Sequence, residues 1–267
     1  FALAPAIAPV LGGWLQVWFG WRAIFVFLVL FSGGMGLLCH RLLPETLPPA
    51  HRRSLHPASL LRSYREVLTS PPFLAVCLAL SLTFSGFFVY VTSAPVFLMQ
   101  HLHVSATGFL WLFGPATVGM AFGSWLSGRF AGRLTTARTL ALAYGLMGVA
   151  AAGNALLPFL HPPGLPWSVV PLFFYVLGMS LAFPTLTLLA LDLFPARRGL
   201  AASCQTFIHT AIAAGNAVLA PFVWASVGTL AATQLAALSL GVGALGLFVW
   251  LGARPAPEIA GLVPPQG

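Results

Sequence analysis

The sequence predicts an all-α polytopic membrane bundle, and three observations carry the prediction. Of the 267 residues, 59% are hydrophobic and 6% charged, with a mean hydropathy of +0.94, whereas about a quarter of a soluble domain is charged. The apolar residues fall into eight runs close to the length of about 20 that a helix needs to cross a bilayer. The basic residues, all arginine, recur in every second connection between those runs. No alternating strand pattern competes, and only helices or closed barrels satisfy every backbone group in lipid.

The expected spans are 1–18, 23–41, 73–97, 107–127, 139–160, 167–191, 199–225 and 229–251. The first opens on an apolar Phe1, with no initiator Met and no basic leader, so it reads as the middle of a helix rather than a signal peptide. Its run Ala4-Pro5-Ala6-Ile7-Ala8-Pro9-Val10-Leu11-Gly12-Gly13 removes two helical hydrogen bonds and admits a close neighbour. A pliable packing helix and a plain kinked one both fit.

Residues 43–70 are too polar and too interrupted by proline to stay in lipid, and carry Arg52, Arg53, Arg62 and Arg65. Within them, 58–68 reads as a short interfacial helix, with Leu60, Leu61, Tyr64 and Leu68 on one face. A solvated linker is the alternative.

Six spans follow. On the first of these, Thr83, Phe87 and Tyr90 share a face, as do Tyr175, Met179 and Phe183 on 167–191. Such side chains either line a cavity for lipophilic ligands or pack against other helices. Asn154, alone on its span, reads as a helix-to-helix hydrogen bond. On 199–225, offsets of 4 and 11 residues bring Gln205, His209 and Asn216 within about 40° of each other at about 100° per residue. Polar groups inside a membrane are costly and face a bundle interior or an aqueous cavity. This stripe therefore contacts substrate or makes interhelical hydrogen bonds, and His209 either takes part in proton transfer or simply packs.

Asp192, with Arg197 and Arg198 just beyond it, offers either a gate that opens and closes or a static ion pair. Gly119 and Gly123 read as a close-packing pair. Gly241-Val242-Gly243-Ala244-Leu245-Gly246 spells a dinucleotide fingerprint, but inside an apolar span with no preceding strand it signals helix packing. No motif implies a cofactor or metal, and Cys39, Cys77 and Cys204 lack ligand spacing and read as packing residues. Residues 254–267, with four prolines, are expected to be disordered.

Eleven of the twelve arginines fall on one side of the alternation. Arginine-enriched loops are cytoplasmic, so the central segment and the C-terminus are expected there. The net charge of +8 then serves headgroup contact rather than nucleic-acid binding.

Ala8-Pro9-Val10-Leu11-Gly12-Gly13, then Phe19-Gly20-Trp21-Arg22, Leu43-Pro44-Glu45-Thr46 and Ala190-Leu191-Asp192-Leu193-Phe194-Pro195, resemble the major facilitator superfamily of secondary transporters, within it the Bcr/CflA drug-resistance branch. In that resemblance Ala8, Pro9, Gly12 and Gly13 form the antiporter motif, with Ala8 where glycine is more usual. The loop from Gly123 to Arg133 is similar to the superfamily's glycine- and arginine-rich loop but lacks its acid, so Arg129 and Arg133 would keep a topological and gating role without the charge relay.

The resemblance implies helices five to twelve of a twelve-helix protein. Residues 1–42 would close the N-terminal bundle, 43–70 link the halves, 71–253 form the C-terminal six-helix bundle and 254–267 a cytoplasmic tail. Helices one to four, and the carboxylate that usually couples protons, would lie outside this sequence, leaving the piece inactive by itself. The implied activity is exchange of protons for drug-like molecules by alternating access across a bacterial inner membrane, by a protein that is monomeric when complete. Two alternatives remain open: transport of one metabolite on the same fold, and a membrane-embedded hydrolase using His209 as its base.

Overall fold

The computed structural model describes residues 11–12, 14–44, 57–104 and 110–252. It divides into two compact units, Phe1–Leu61 and Arg62–Gly267, each considered by itself. In the first, residues 11–12 and 14–19 are helical and a second helix, α1, covers Trp21–Leu42. Between them Gly20 adopts φ 77, a conformation that glycine reaches without steric cost. α1 buries no residue, and among the described residues its rings pair along its own surface, as in the stacked Phe27 and Phe31. Of the expected antiporter motif, Gly12 lies in a helical stretch, while Ala8, Pro9 and Gly13 lie outside the described residues, as do residues 254–267.

The interfacial helix forms as α2, Pro57–Leu68. Val67 is its fully buried residue, while Leu60, Leu61 and Tyr64 stay exposed, so the inward face differs from the expected one.

Six long helices follow: α3 (Pro71–Thr92), α4 (Leu110–Phe130), α5 (Thr136–Leu160), α6 (Val170–Asp192), α7 (Arg198–Val223) and α8 (Val227–Trp250). Local chemistry sets several starts. Pro71 and Pro72 open α3, where their missing N–H groups cost nothing. The Thr135 side chain caps α5 by accepting from the Arg138 N–H, and Ser226 and Thr229 form a reciprocal capping box on α8. Among the described residues six helices are long and apolar enough to cross a membrane. α4, expected as a span, is helical but not one of these six.

The packing of α3–α8 has an internal exchange symmetry. α3, first of one triplet, packs on α7 and α8; α6, first of the next, packs on α4 and α5. The first helices also touch each other, as do the third, α5 and α8. Swapping each helix with the one three places away preserves this pattern, and because consecutive spans run in opposite directions, the swap inverts each helix, as in inverted-repeat transporters. Glycine permits the closest approaches. A Cβ on Gly123 of α4 would collide with the Leu177 carbonyl of α6, and one on Gly178 of α6 would lie 2.8 Å from the Ala143 carbonyl of α5.

The connections sort onto two ends. The ion pair between Arg197 and Glu66 ties the turn before α7 to α2. Phe130, Ala131, Gly132, Leu134 and Thr136 share a cleft with Asp192. The other end is closed by Phe97, Leu98, Leu102, Val169, Val227 and Leu230 in one buried cluster, and by the His101 imidazole, whose Nε2 lies 2.8 Å from the Trp224 carbonyl. The arginine connections of this unit thus gather at one end, as the alternation requires.

Candidate functional site

Between α3, α6 and α7 the His209 imidazole sits among aromatic rings. Its centroid is 4.7 Å from that of Phe84 on α3 and 6.0 Å from that of Phe183 on α6, both edge-to-face, and Phe84 stacks on Phe88 at 5.3 Å. Edge-to-face packing places a positive ring edge against a negative ring face. All four residues are half-buried, so the cluster is open on one side. The His209 Nδ1 is buried without a hydrogen-bond partner in the protein, which in an apolar surrounding is costly unless a water or ligand satisfies it. Pro184, beside Phe183, removes a backbone hydrogen bond from α6 at this level.

The rest of the polar stripe flanks this cluster. The Gln205 amide donates to Thr187 Oγ1 on α6 (3.2 Å), and the Asn216 amide donates to the Ser85 carbonyl on α3 (3.0 Å). Both cross between helices, so His209 is the member of the stripe left to face outward.

The other expected cavity residues lie deeper. Thr83, Phe87, Tyr90, Tyr175 and Met179 are all at most 6% exposed. Thr83, Tyr90 and Tyr175 belong to a buried polar network, and Phe87 and Met179 are buried apolar side chains beside it. The Asn154 amide donates to the Tyr90 hydroxyl (2.6 Å) and to Gln234 Oε1 (2.8 Å), joining α5, α3 and α8. The Tyr175 hydroxyl donates to the Thr83 carbonyl (2.8 Å), and the Tyr144 hydroxyl lies 3.1 Å from Thr83 Oγ1. A Cβ at Gly86 would collide with the Tyr175 hydroxyl, so the absence of a side chain there makes room for this bond. Sequence reading selected the face of α3 one residue away from the open one. The i, i+4 pair Phe84 and Phe88 was the signal for it; Gln234 carried the same polar-in-span signal as Asn154.

At the arginine-rich end, the two adjacent arginines take different partners. Asp192 pairs with Arg198 at 2.6 Å, while Arg197 reaches across to Glu66. Asp192 also lines a cleft of about 630 Å³ with Ser124, Ser127, Thr136, Thr139 and Thr185. Arg129 lies over the Trp125 ring, 5.5 Å from its centroid, and with Arg133 borders a neighbouring cleft. Among the described residues, no group of three or more His, Cys, Asp or Glu side chains is arranged to hold a metal.

Comparison with known proteins places this arrangement. Residues 1–216 match the Major Facilitator Superfamily. The chain is 27% identical over 244 residues to the multidrug resistance protein MdtM of Salmonella typhimurium, covering 89% of this chain and 57% of that protein. It is 28% identical over 146 residues to a bicyclomycin resistance protein homolog of Haemophilus influenzae, covering 55% and 37% respectively. With a chloramphenicol resistance protein of Pseudomonas aeruginosa it shares 32% identity over 138 residues, covering 50% and 30%. The chain therefore spans between about a third and somewhat over half of these relatives' lengths. Helices of membrane-spanning length and bacterial relatives make it a multi-pass bacterial inner-membrane protein. Motif, helical packing and matched relatives converge on one assignment: the chain belongs to the Major Facilitator Superfamily.

Proposed function

We propose that this chain is part of a secondary transporter that exports lipophilic, drug-like molecules in exchange for protons by alternating access, with its C-terminus in the cytoplasm. The open cluster of Phe84, Phe88, Phe183 and His209 carries the reading. Rings offer large contact area with few fixed polar demands, which suits ligands of variable shape. Among the described residues in the spans of α3 and α7 and beside Phe183 in α6, no fixed charge meets the cluster. A strongly polar metabolite needs such an anchor, so the drug-like reading is favoured over it. The relatives' names, which concern multidrug, bicyclomycin and chloramphenicol resistance, point the same way. Membership of a transporter superfamily favours transport over catalysis.

His209 would take up and release a proton, since its buried, unpartnered Nδ1 gives a proton or a ligand atom somewhere to bind. At the arginine-rich end, the two ion pairs Arg197–Glu66 and Asp192–Arg198 would serve as gate contacts. All four side chains keep access to solvent, and pairs of that kind are worth at most about 1 kcal/mol. Such pairs break and re-form at little cost as the bundle rocks.

The test is proton-gradient-dependent efflux of a fluorescent drug from cells expressing the complete gene. Replacing His209 or Phe84 by Ala is expected to reduce efflux at least about tenfold, equivalent to about 1.4 kcal/mol, at unchanged protein level. Full efflux by both variants would remove the site from the mechanism.

A further inference from the structure

We propose that the arginine-rich end of α4 binds an anionic phospholipid, with Arg129 and Arg133 as ligands of its phosphate and the outer stripe of α4 as the seat of an acyl chain.

The charge inventory is the first observation. The sequence has four acids. Glu66 is paired with Arg197 and Asp192 with Arg198, whereas Glu45 and Glu258 lie outside the described residues. Among the described residues, then, Arg129 and Arg133 have no carboxylate partner. Both border a cleft of about 540 Å³, together with Ser124, Trp125, Gly128 and Ala131. Guanidinium groups hold phosphate oxygens bidentately, and the Ser124 hydroxyl adds a neutral donor to the same cleft.

The second observation separates a lipid from a free anion. Trp111, Val118, Phe122, Trp125 and Arg129 are all exposed, and at about 100° per residue they fall within about 60° of one another on α4. Leu112, Ala116, Gly119 and Gly123 occupy the opposite, buried side. Phe122 stacks on Trp125 at 5.5 Å with an interplanar angle of 17°, and the Arg129 guanidinium lies over that same indole. From Val118 onward the stripe passes from aliphatic to aromatic to cationic in the order of acyl chain, glycerol backbone and phosphate, with Trp111 one step deeper on the same face. From Val118 to Arg129 the helix rises about 16 Å, close to the depth of one leaflet, half of a hydrocarbon core of about 30 Å. A soluble anion would have no use for that wall.

The site is tested on the purified full-length protein in detergent by native mass spectrometry, titrating dioleoylphosphatidylglycerol, dioleoylphosphatidylcholine or inorganic phosphate. A basic side chain near an anionic headgroup contributes enough that the double variant Arg129→Gln/Arg133→Gln is expected to bind phosphatidylglycerol about thirtyfold more weakly, about fivefold per arginine. Phosphatidylcholine binding is expected to stay unchanged. Arg138→Gln, an exposed arginine at the same end but outside the cleft, is expected to stay within about twofold of the parent. Arg129→Lys/Arg133→Lys, which keeps the charges and loses the forks, should fall between parent and double glutamine variant. A thermal melt establishes that all variants are equally folded. Three results overturn the site: unchanged phosphatidylglycerol binding in the double glutamine variant, an equal loss in Arg138→Gln, or displacement of the lipid by inorganic phosphate at equal concentration.

Discussion

α3 and α7 each contribute a ring to the aromatic cluster, yet they are embedded in opposite ways. Of the most apolar 18-residue stretch of α3, 67% is buried; of that of α7, 6%. α3 packs against α6, α7 and α8, and its inward side chains include Tyr90 and Thr83 of the polar network. α7 buries Ala201, Cys204, Gln205 and Ala220, and turns Phe207, Val218, Leu219 and Phe222 outward. His209 therefore stands on a loosely held wall facing a rigid one. Substitutions on the rigid side should report on folding, and those on the loose side on transport.

The largest effect tests the rigid wall. Gly86→Leu on α3 would drive a side chain into the Tyr175 hydroxyl and towards the Gln234 carbonyl. Overpacking of this kind costs about 1–3 kcal/mol or more, read as a lowered melting temperature in detergent. The milder Gly86→Ala should be partly rescued by Tyr175→Phe, which removes the colliding oxygen. An unchanged melting temperature in Gly86→Leu would mean that the α3–α6 contact is not close.

Next is Asn154→Ala, which removes the donor to Tyr90 and Gln234 in one step. Buried groups left unpaired cost about 1–3 kcal/mol, although interhelical bonds in membranes often measure lower, at about 0.6 kcal/mol. A double-mutant cycle with Gln234→Ala should show coupling of at least about 0.5 kcal/mol, as expected for residues sharing a network.

His209→Ala on α7 sharpens the contrast from the loose side. The side chain is half-buried with an unpaired nitrogen, so its removal should change stability by less than about 1 kcal/mol while efflux falls. A large loss of stability would move His209 from the functional wall to the structural one. Smallest of all, Arg197→Ala removes the ion pair to Glu66 and should cost at most about 1 kcal/mol at low salt, less at high salt.

Much of the fold was legible because its signals are local or periodic. Hydropathy placed the spans, and Pro71 and Pro72, Thr135 and Gly20 then set helix starts in the structure through rules that involve only near neighbours. That Gly119 and Gly123 pack closely could be read from their spacing, while their partner on α6 could not. Polar residues in a span were also informative, since each must find a partner, and Asn154, Gln205 and Asn216 do so across helices. The choice between Phe87 and Phe84 was not legible. Both are equally apolar, and nothing in a uniformly apolar helix distinguishes the core side from the side facing lipid or a cavity. Nor was the partner of Asp192, because Arg197 and Arg198 are adjacent and the distant Glu66 decides which one is left for it.

By itself the sequence determined that this is a membrane bundle, where most of its spans lie and which connections gather at one end. Length, hydropathy and charge suffice for that, because the bilayer acts on each segment separately. Only the tertiary structure decided which side of each helix turns inward, that Tyr90 and Tyr175 are core and Phe84 and His209 are open, and how Glu66, Asp192, Arg197 and Arg198 pair. The physical reason is that lipid and protein core are both apolar, so hydropathy offers no contrast between them, and the inward face is set by shape and by hydrogen bonds between residues far apart in the chain.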